Sequence, residues 1–286
     1  MIVVESVSKL VIVDVSALMR THYRPEGVRG SLSIDLGDSL LTTSHIFGLF
    51  KVFKEYGKAA DYVFCYDTPI NYLKADNPDY KKGRVKVADD YFVGYNLARE
   101  ILRSANFIVL TKEGYEADHL IMQAKEELSR FYDEVYVITN DRDLAVVVDT
   151  KTTWVNTIKK RGNIDITNYE EVLACPYNAI HLKKALVGDP SDNLKGVYRF
   201  GEAKFKKFVI EEGVYQQNVY GKERDIILNS SLTEDQQAQA LSDLHIIKGL
   251  KVPNINLTVQ EIDWAVLERA AQELGMKSLI KFFGSE

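Results

Sequence analysis

The chain has 286 residues, 46% of them hydrophobic and 27% charged, which is enough for one large domain or two small ones with a sizeable core. No apolar run approaches the ~18 residues of a membrane-spanning helix, and the opening MIVVESVSKLVIVD has no small-residue cleavage pattern, so neither a span nor a signal peptide is expected. A net charge of −5 argues against nucleic-acid binding only as an average, and the two cysteines, Cys65 and Cys175, in apolar stretches fit the reduced thiols of a cytosolic protein.

The first half alternates short β-branched runs with amphipathic stretches. Strands are predicted at 9–14, 61–66, 106–110, 134–139 and 152–156. Helices are predicted at about 39–56, 89–104, 116–131 and 168–174. The strands are continuously apolar, as in a parallel sheet covered on both faces, so the class is α/β. Segment 68–88, TPINYLKADNPDYKKGRVKVA, is polar, basic and irregular, which suits a functional loop. Tyr91, Phe92 and Tyr95 follow it. Beyond about 178 the spacing is helical in NAIHLKKALVGD, EAKFKKFVIEEG, LTEDQQAQALSDLHIIKGL and DWAVLERAAQELGMKSLIKFF. The expected division is 1–178 as an α/β region and 179–286 as a helical region packed on it, with no clear linker.

Acids recur where these runs end. Asp14 closes KLVIVD, Asp67 closes DYVFCYD, and Asp141 and Asp143 follow EVYVITN. Glu116 and Asp118 open GYEADHLIMQAKEEL, and Asp189 and Asp192 close LKKALVGDPSDN. Each has an ordinary reading. Asp14 can cap a helix, Asp67 can make a pre-proline turn, and Glu116 and Asp118 can complement a helix dipole. Asp141 and Asp143 can be solvated turn residues. Ligands of open parallel sheets bind at the carboxyl ends of strands, where Asp14, Asp67, Asp141 and Asp143 lie, so separate motifs converge at one edge. Eight carboxylates share an edge only if cations offset their repulsion, and hard oxygen donors suit Mg²⁺ or Mn²⁺. The five histidines lack zinc-ligand spacing and no CxxC occurs. Setting the eight acids aside leaves a positive balance. Lys74, Lys81, Lys82, Arg84 and Lys86 cluster, as do Lys195, Arg199, Lys204, Lys206 and Lys207, a layout fit for a polyanion.

The order Asp14, Asp67, DYKKGR, GYEADH, TNDRD and GDPSDN, followed by GVYRFG, resembles the 5′ nuclease family. That family includes flap endonucleases, phage 5′–3′ exonucleases and the 5′ nuclease domain of bacterial DNA polymerase I. The resemblance runs from residue 9 to about 207, and 263–283 resembles the family's terminal helices. It implies a PIN-like 5′ nuclease fold with a helical arch at 70–104 and a helix–hairpin DNA-binding motif at about 180–210. It assigns Asp14, Asp67, Glu116, Asp118 and Asp141 to one metal cluster and Asp143, Asp189 and Asp192 to a second. Lys81 would stabilise developing charge, and Arg84 would steer the phosphate. Lys74, Lys82 and Tyr91 would meet DNA at the arch. Lys195, Gly196, Val197, Gly201 and Lys204 would do so at the hairpin, with K⁺ held by carbonyls.

The implied activity is metal-dependent 5′–3′ exonuclease and flap endonuclease hydrolysis of DNA, extending to RNA–DNA hybrids, by a monomer in a phage or bacterial setting. A binding protein of the same fold that has lost turnover, or a PIN-type ribonuclease, is the alternative. Three positions depart from the family's pattern. His119 replaces an acid of GxEADD, which predicts a weaker metal position. Arg199 replaces the middle glycine of GVxGIG, which predicts strain if that residue has positive φ. Ala203 replaces a lysine, with Lys204 next to it.

Overall fold

The structure is a computed structural model, and it describes residues 7–35, 37, 40–68, 88–248 and 251–284. Strands β1 (Lys9–Asp14), β4 (Asp61–Cys65), β5 (Ile108–Leu110), β6 (Glu134–Thr139) and β7 (Thr152–Asn156) form one parallel sheet in the order β5-β4-β1-β6-β7. Between β1 and β4, β2 (Ser33–Asp35) and β3 (Leu40–Thr42) form a small antiparallel pair. Side chains alternate across the large sheet and supply two cores. Leu10, Ile12, Val63, Cys65, Val135 and Val137 face one core. Val11, Val13, Tyr62, Phe64 and Ile138 face the other. The continuous apolar runs are thus two interleaved faces, both covered, as the fold class predicts.

Helices α1 (Val15–His22), α2 (Ser44–Tyr56) and α3 (Asp89–Ser104) cover the second face. Helix α4 (Ala117–Leu128), the 3₁₀ turn Arg142–Val147, α5 (Tyr169–Leu173) and α6 (Ile180–Val187) cover the first. Helices α7 (Glu202–Glu211), α8 (Glu223–Leu228) and α9 (Glu234–Lys248) extend that layer. Helices α10 (Trp264–Glu273) and α11 (Lys277–Phe283) return to the second face. There Trp264 and Phe283 close on Phe53, with ring centroids at 5.4 and 5.8 Å. Phe283 is buried and Trp264 half-buried, and full burial of such a ring contributes about 1.5–3 kcal/mol, so the C-terminal helices are fastened to the first half by its own core. Among the described residues no helix is long and apolar enough to cross a membrane, and both cysteines are buried.

Strand β1 stops at Asp14 because that side chain turns back to cap α1, accepting from the Ala17 amide at 2.9 Å. Helix α2 starts later than predicted, since Leu40–Thr42 is drawn into pairing with Ser33–Asp35. Helix α3 has its predicted bounds but a different setting. Tyr91, Tyr95, Ala98 and Leu102 are buried in the second core. Of the arch expected over 70–104, residues 89–104 form a helix that packs one face on the second core. Residues 69–87 lie outside the described ones.

Candidate metal centre

The sheet topology brings the carboxyl ends of β1, β4 and β6 side by side, and each end carries an acid. Asp14 is 9% exposed. One carboxylate oxygen accepts from Ala17, and the other accepts from the Thr139 hydroxyl at 2.8 Å. Burial, then the neighbouring charges of Asp67 and Asp141, push its carboxyl up to about 7. Thr139 closes β6 and also accepts the Asp141 amide at 3.1 Å, so one hydroxyl sets the register between Asp14 and Asp141. Asp141 in turn accepts from the Asp143 amide at 3.0 Å, and its carbonyl accepts the Trp154 indole N–H at 2.8 Å. Asp67 accepts from the Ala117 amide at 2.9 Å, which ties β4 to the start of α4. Its own amide donates to the buried Tyr95 hydroxyl.

The second set is tighter. Asp143, Asp189 and Asp192 each offer a carboxylate oxygen within 4.8 Å of the others, and among the described residues this is the group with metal-ligand spacing. Lys184 stands in their midst. Its ammonium contacts the carboxylates of Asp143 and Asp189 and lies 3.9 Å from that of Asp192. Burial works against its charge, but the paired carboxylates outweigh this and hold the pKa above the ordinary lysine range. Asp143, buried and beside Asp141, is pushed up to about 7 despite Lys184. His181, one turn before Lys184, hydrogen-bonds the Asp143 backbone, and burial drives its pKa down to about 3. A single cleft joins the two sets, lined by Asp118, Asp141, Asp143, Asp192 and His181 over apolar Ile246 and Ile247.

These donors fit divalent cations. The set is carboxylate oxygen throughout, the choice of hard ions. Two of the acids, Asp14 and Asp143, are pushed up by burial and by neighbouring carboxylates, a crowding that a bound cation would relieve.

Glu116 and Asp118 behave differently. Glu116 caps α4 in a reciprocal box with His119, whose Nδ1 accepts the Glu116 amide at 3.2 Å. Asp118 accepts the His119 amide at 2.7 Å while lining the cleft. His119, expected to be a deficient ligand, is instead buried as the far half of this cap.

Residues 188–201 form the expected turn between α6 and α7. Gly188 and Gly196 pack backbone to backbone, and a Cβ on Gly196 would lie 2.4 Å from the Gly188 nitrogen. Arg199 does have positive φ, +56°, which costs a non-glycine residue about 1–2 kcal/mol. One expectation is corrected here. The amides meant to meet phosphate are used inside the fold: Gly196 donates to buried Asp243 at 2.7 Å and Val197 to the Leu186 carbonyl at 2.8 Å. Lys195, Gly201 and Lys204 are exposed.

Tyr91 also needs correction. It is 1% exposed and stacks on His45 at 5.2 Å, so core packing has taken the ring expected to meet DNA at the arch. Lys74, Lys81, Lys82 and Arg84 lie outside the described residues. Thr139 and Lys184 were not singled out from sequence. The signal for Lys184 was available, since it follows Ile180 and His181 by four and three residues and so shares the buried side of α6.

Comparison with known proteins places this geometry. The family described as the 5′–3′ exonuclease, N-terminal resolvase-like domain, matches residues 9–174. DNA polymerase I of Caldicellulosiruptor bescii is 28% identical over 226 residues, which is 74% of this chain and 26% of that protein. The 5′–3′ exonuclease of Mycoplasmopsis pulmonis is 32% identical over 126 residues, 43% of this chain and 41% of that one. The chain thus spans about a quarter of the length of the DNA polymerase I relatives it matches. Two solved structures share the fold. A bacteriophage T5 flap endonuclease with DNA and metal ions has a TM-score of 0.62 at 18% identity, covering 96% of both chains. The catalytic core of Rad2 in complex with DNA substrate has a TM-score of 0.54 at 17% identity, covering 97% of this chain and 93% of that one. The chain belongs to the 5′–3′ exonuclease family, through the N-terminal resolvase-like domain that supplies its sheet and most of its acidic edge.

Proposed function

We propose that this protein hydrolyses phosphodiesters of DNA near 5′ ends and at single-strand/duplex junctions, as a metal-dependent 5′–3′ exonuclease and flap endonuclease. The observation that carries the reading is the convergence of Asp14, Asp67 and Asp141 with Asp143, Asp189 and Asp192 on one sheet edge, within a family of 5′–3′ exonucleases. Asp14, Asp67, Glu116, Asp118 and Asp141 would hold one ion and Asp143, Asp189 and Asp192 a second, Mg²⁺ or Mn²⁺ by donor chemistry. When bound, such ions lower the pKa of a coordinated water and offset charge on the phosphate.

The chain's own residues do the rest. Thr139 keeps Asp14 and Asp141 in register. Lys184 keeps Asp143 and Asp189 together until the cleft fills. The apolar wall of Ile246 and Ile247 limits water on one side, which strengthens every charge interaction in the cleft. Lys81 as stabiliser of developing charge, Arg84 as phosphate guide, and Lys74, Lys82, Lys195 and Lys204 as backbone contacts belong to the same reading. So do RNA–DNA hybrids as a second substrate, K⁺ at the hairpin, a monomeric state and a cytosolic setting. The cytosolic setting rests on the two cysteines in apolar stretches and the others on the resemblance in sequence.

The alternative of a binder without turnover drew on His119. The hydrogen bond from the Glu116 amide to its Nδ1 supports a capping role instead, which weakens that alternative. The test is incubation with end-labelled flap, nicked and blunt DNA in Mg²⁺, Mn²⁺ or EDTA. Short 5′-phosphorylated products that appear only with metal are expected. Intact DNA under all three conditions would leave a binding protein.

A further inference from the structure

We infer that Tyr95 is a positioning residue of the metal-binding edge: its hydroxyl joins the end of β4, which leads to Asp67, to the start of α1, which follows Asp14. This role rests on the metal-dependent reading above and adds to it a residue that acts through Asp67 rather than on the ion.

The chain leaves the sheet just before Asp67. The Tyr66 amide still donates to the Leu110 carbonyl of β5 at 3.0 Å, whereas the next amide, that of Asp67, donates to the Tyr95 hydroxyl at 3.0 Å. The same hydroxyl lies 3.0 Å from that of Ser16, two residues after Asp14. One oxygen therefore spans β4 and α1, on the side of β1 away from β6. On the other side Thr139 makes the corresponding link, donating to Asp14 and accepting the Asp141 amide. Asp67, Asp14 and Asp141 are thus registered by two hydroxyls, one to either side of Asp14.

The ring is placed to hold its oxygen still. Tyr95 is 6% exposed, with the buried Tyr66 ring edge-on at 4.8 Å and the buried Tyr91 ring stacked at 5.7 Å between centroids. Its carrier, α3, is anchored in the second core by Ala98 and Leu102. Burial, then the charge of Asp67, hold the Tyr95 pKa well above the ordinary tyrosine range. The group stays a neutral hydroxyl and adds no charge to an edge already crowded with carboxylates. Packing asks only for the ring, which a phenylalanine would supply.

Asp67 is fixed at two points. Tyr95 holds its backbone, and the Ala117 amide holds one carboxylate oxygen at 2.9 Å. Without the first, the backbone after β4 loses its tie to α1, and the carboxylate is free to swing about the second. Groups that orient a metal ligand in this way typically set affinity or activity by about 10–100-fold.

Tyr95→Phe removes the hydroxyl and keeps the ring. Mn²⁺ binding is measured by calorimetry on the parent and the variant, with Asp67→Ala alongside to mark the binding event that Asp67 serves, and with thermal melts to confirm folding. Tyr95→Phe should weaken that event by about tenfold and leave any other unchanged. A purely structural hydroxyl would lower the melting temperature and leave Mn²⁺ affinity at the parental value. In single-turnover cleavage of a labelled 5′ flap, the Mg²⁺ concentration for half-maximal rate should rise by about tenfold, with substrate affinity in Ca²⁺ unchanged. Ser16→Ala, which leaves the Asp67 amide its acceptor, should shift both metal readouts in the same direction by less. Parental Mn²⁺ affinity in folded Tyr95→Phe would overturn the inference, as would an Asp67→Ala that loses no binding event. If Tyr95→Phe does not fold, parental affinity in Ser16→Ala overturns it instead. A parent that binds Mn²⁺ but cuts no flap would overturn the nuclease reading, and the calorimetry would still decide the role of Tyr95.

Discussion

The ammonium of Lys184 lies against the carboxylate of Asp143, a residue 41 positions earlier on a different element. It reaches Asp189 from the same position, so one half-buried cation joins the 3₁₀ turn after β6 to the turn after α6. Asp143, Asp189 and the nearby Asp192 are thereby kept from repelling one another without an ion. Removing one partner of a buried pair typically costs about 3–5 kcal/mol, less where the acids can take up protons. Lys184→Met should therefore lower unfolding stability in EDTA by a few kcal/mol on that scale, and millimolar Mn²⁺ should recover most of the loss. Urea titrations with and without Mn²⁺ measure both. An equal loss under the two conditions would mean that Lys184 does not stand in for a cation.

The same crowding makes metal binding depend on pH. Asp14 and Asp143 have carboxyls raised to about 7, so between pH 4 and 7 the folded protein keeps protons that the unfolded chain releases. These two groups make ion-free stability fall as pH rises through that window. His45 and His181, lowered to about 4 and about 3, act in the opposite sense, because the unfolded chain binds their protons up to about pH 6.5. The gain in melting temperature on adding metal isolates the acids, since the histidine effect largely cancels in that difference. Protons compete with the ion for both carboxylates, so the gain should grow steadily from pH 5 to pH 7.5. A gain independent of pH would contradict the proposed ligands.

His119 should matter to the helix more than to the ion. Its imidazole accepts the Glu116 amide at the start of α4, and losing such a cap costs about 0.5–2 kcal/mol. His119→Ala should destabilise by about that amount, with Mn²⁺ affinity, read by calorimetry, changed less than twofold. A tenfold loss of affinity at full stability would return His119 to the metal site.

The strands were legible because each is a short apolar run ended by a polar residue, and three of the five have their predicted bounds. The β2–β3 pair escaped notice, being three residues a side and partly exposed, with no alternation to read. The acids were legible by position but not by role. Sequence spacing places Asp141 and Asp143 together, yet only the packing of α6 shows that Lys184 lies between Asp143 and Asp189. His119 looked like a missing ligand because the motif around it names residue types, whereas its role depends on the direction of one ring. Tyr91 looked available to DNA, but α3 turns that side of the helix into the second core. Arg199 was legible as strain, since a turn that closes on Gly196 needs positive φ again three residues later.

The central claim is that these buried carboxylates serve a metal-assisted cleavage. Asp141→Asn tests it with little change in shape, because the amide oxygen can still accept the Asp143 N–H. The measurement is single-turnover cleavage of a labelled 5′-flap substrate in Mg²⁺, paired with binding of the same substrate in Ca²⁺. Cleavage slowed by about a thousandfold or more, beside unchanged binding, is expected from the loss of a group aimed at the reacting phosphate. Cleavage at the parental rate would contradict the assignment of the site.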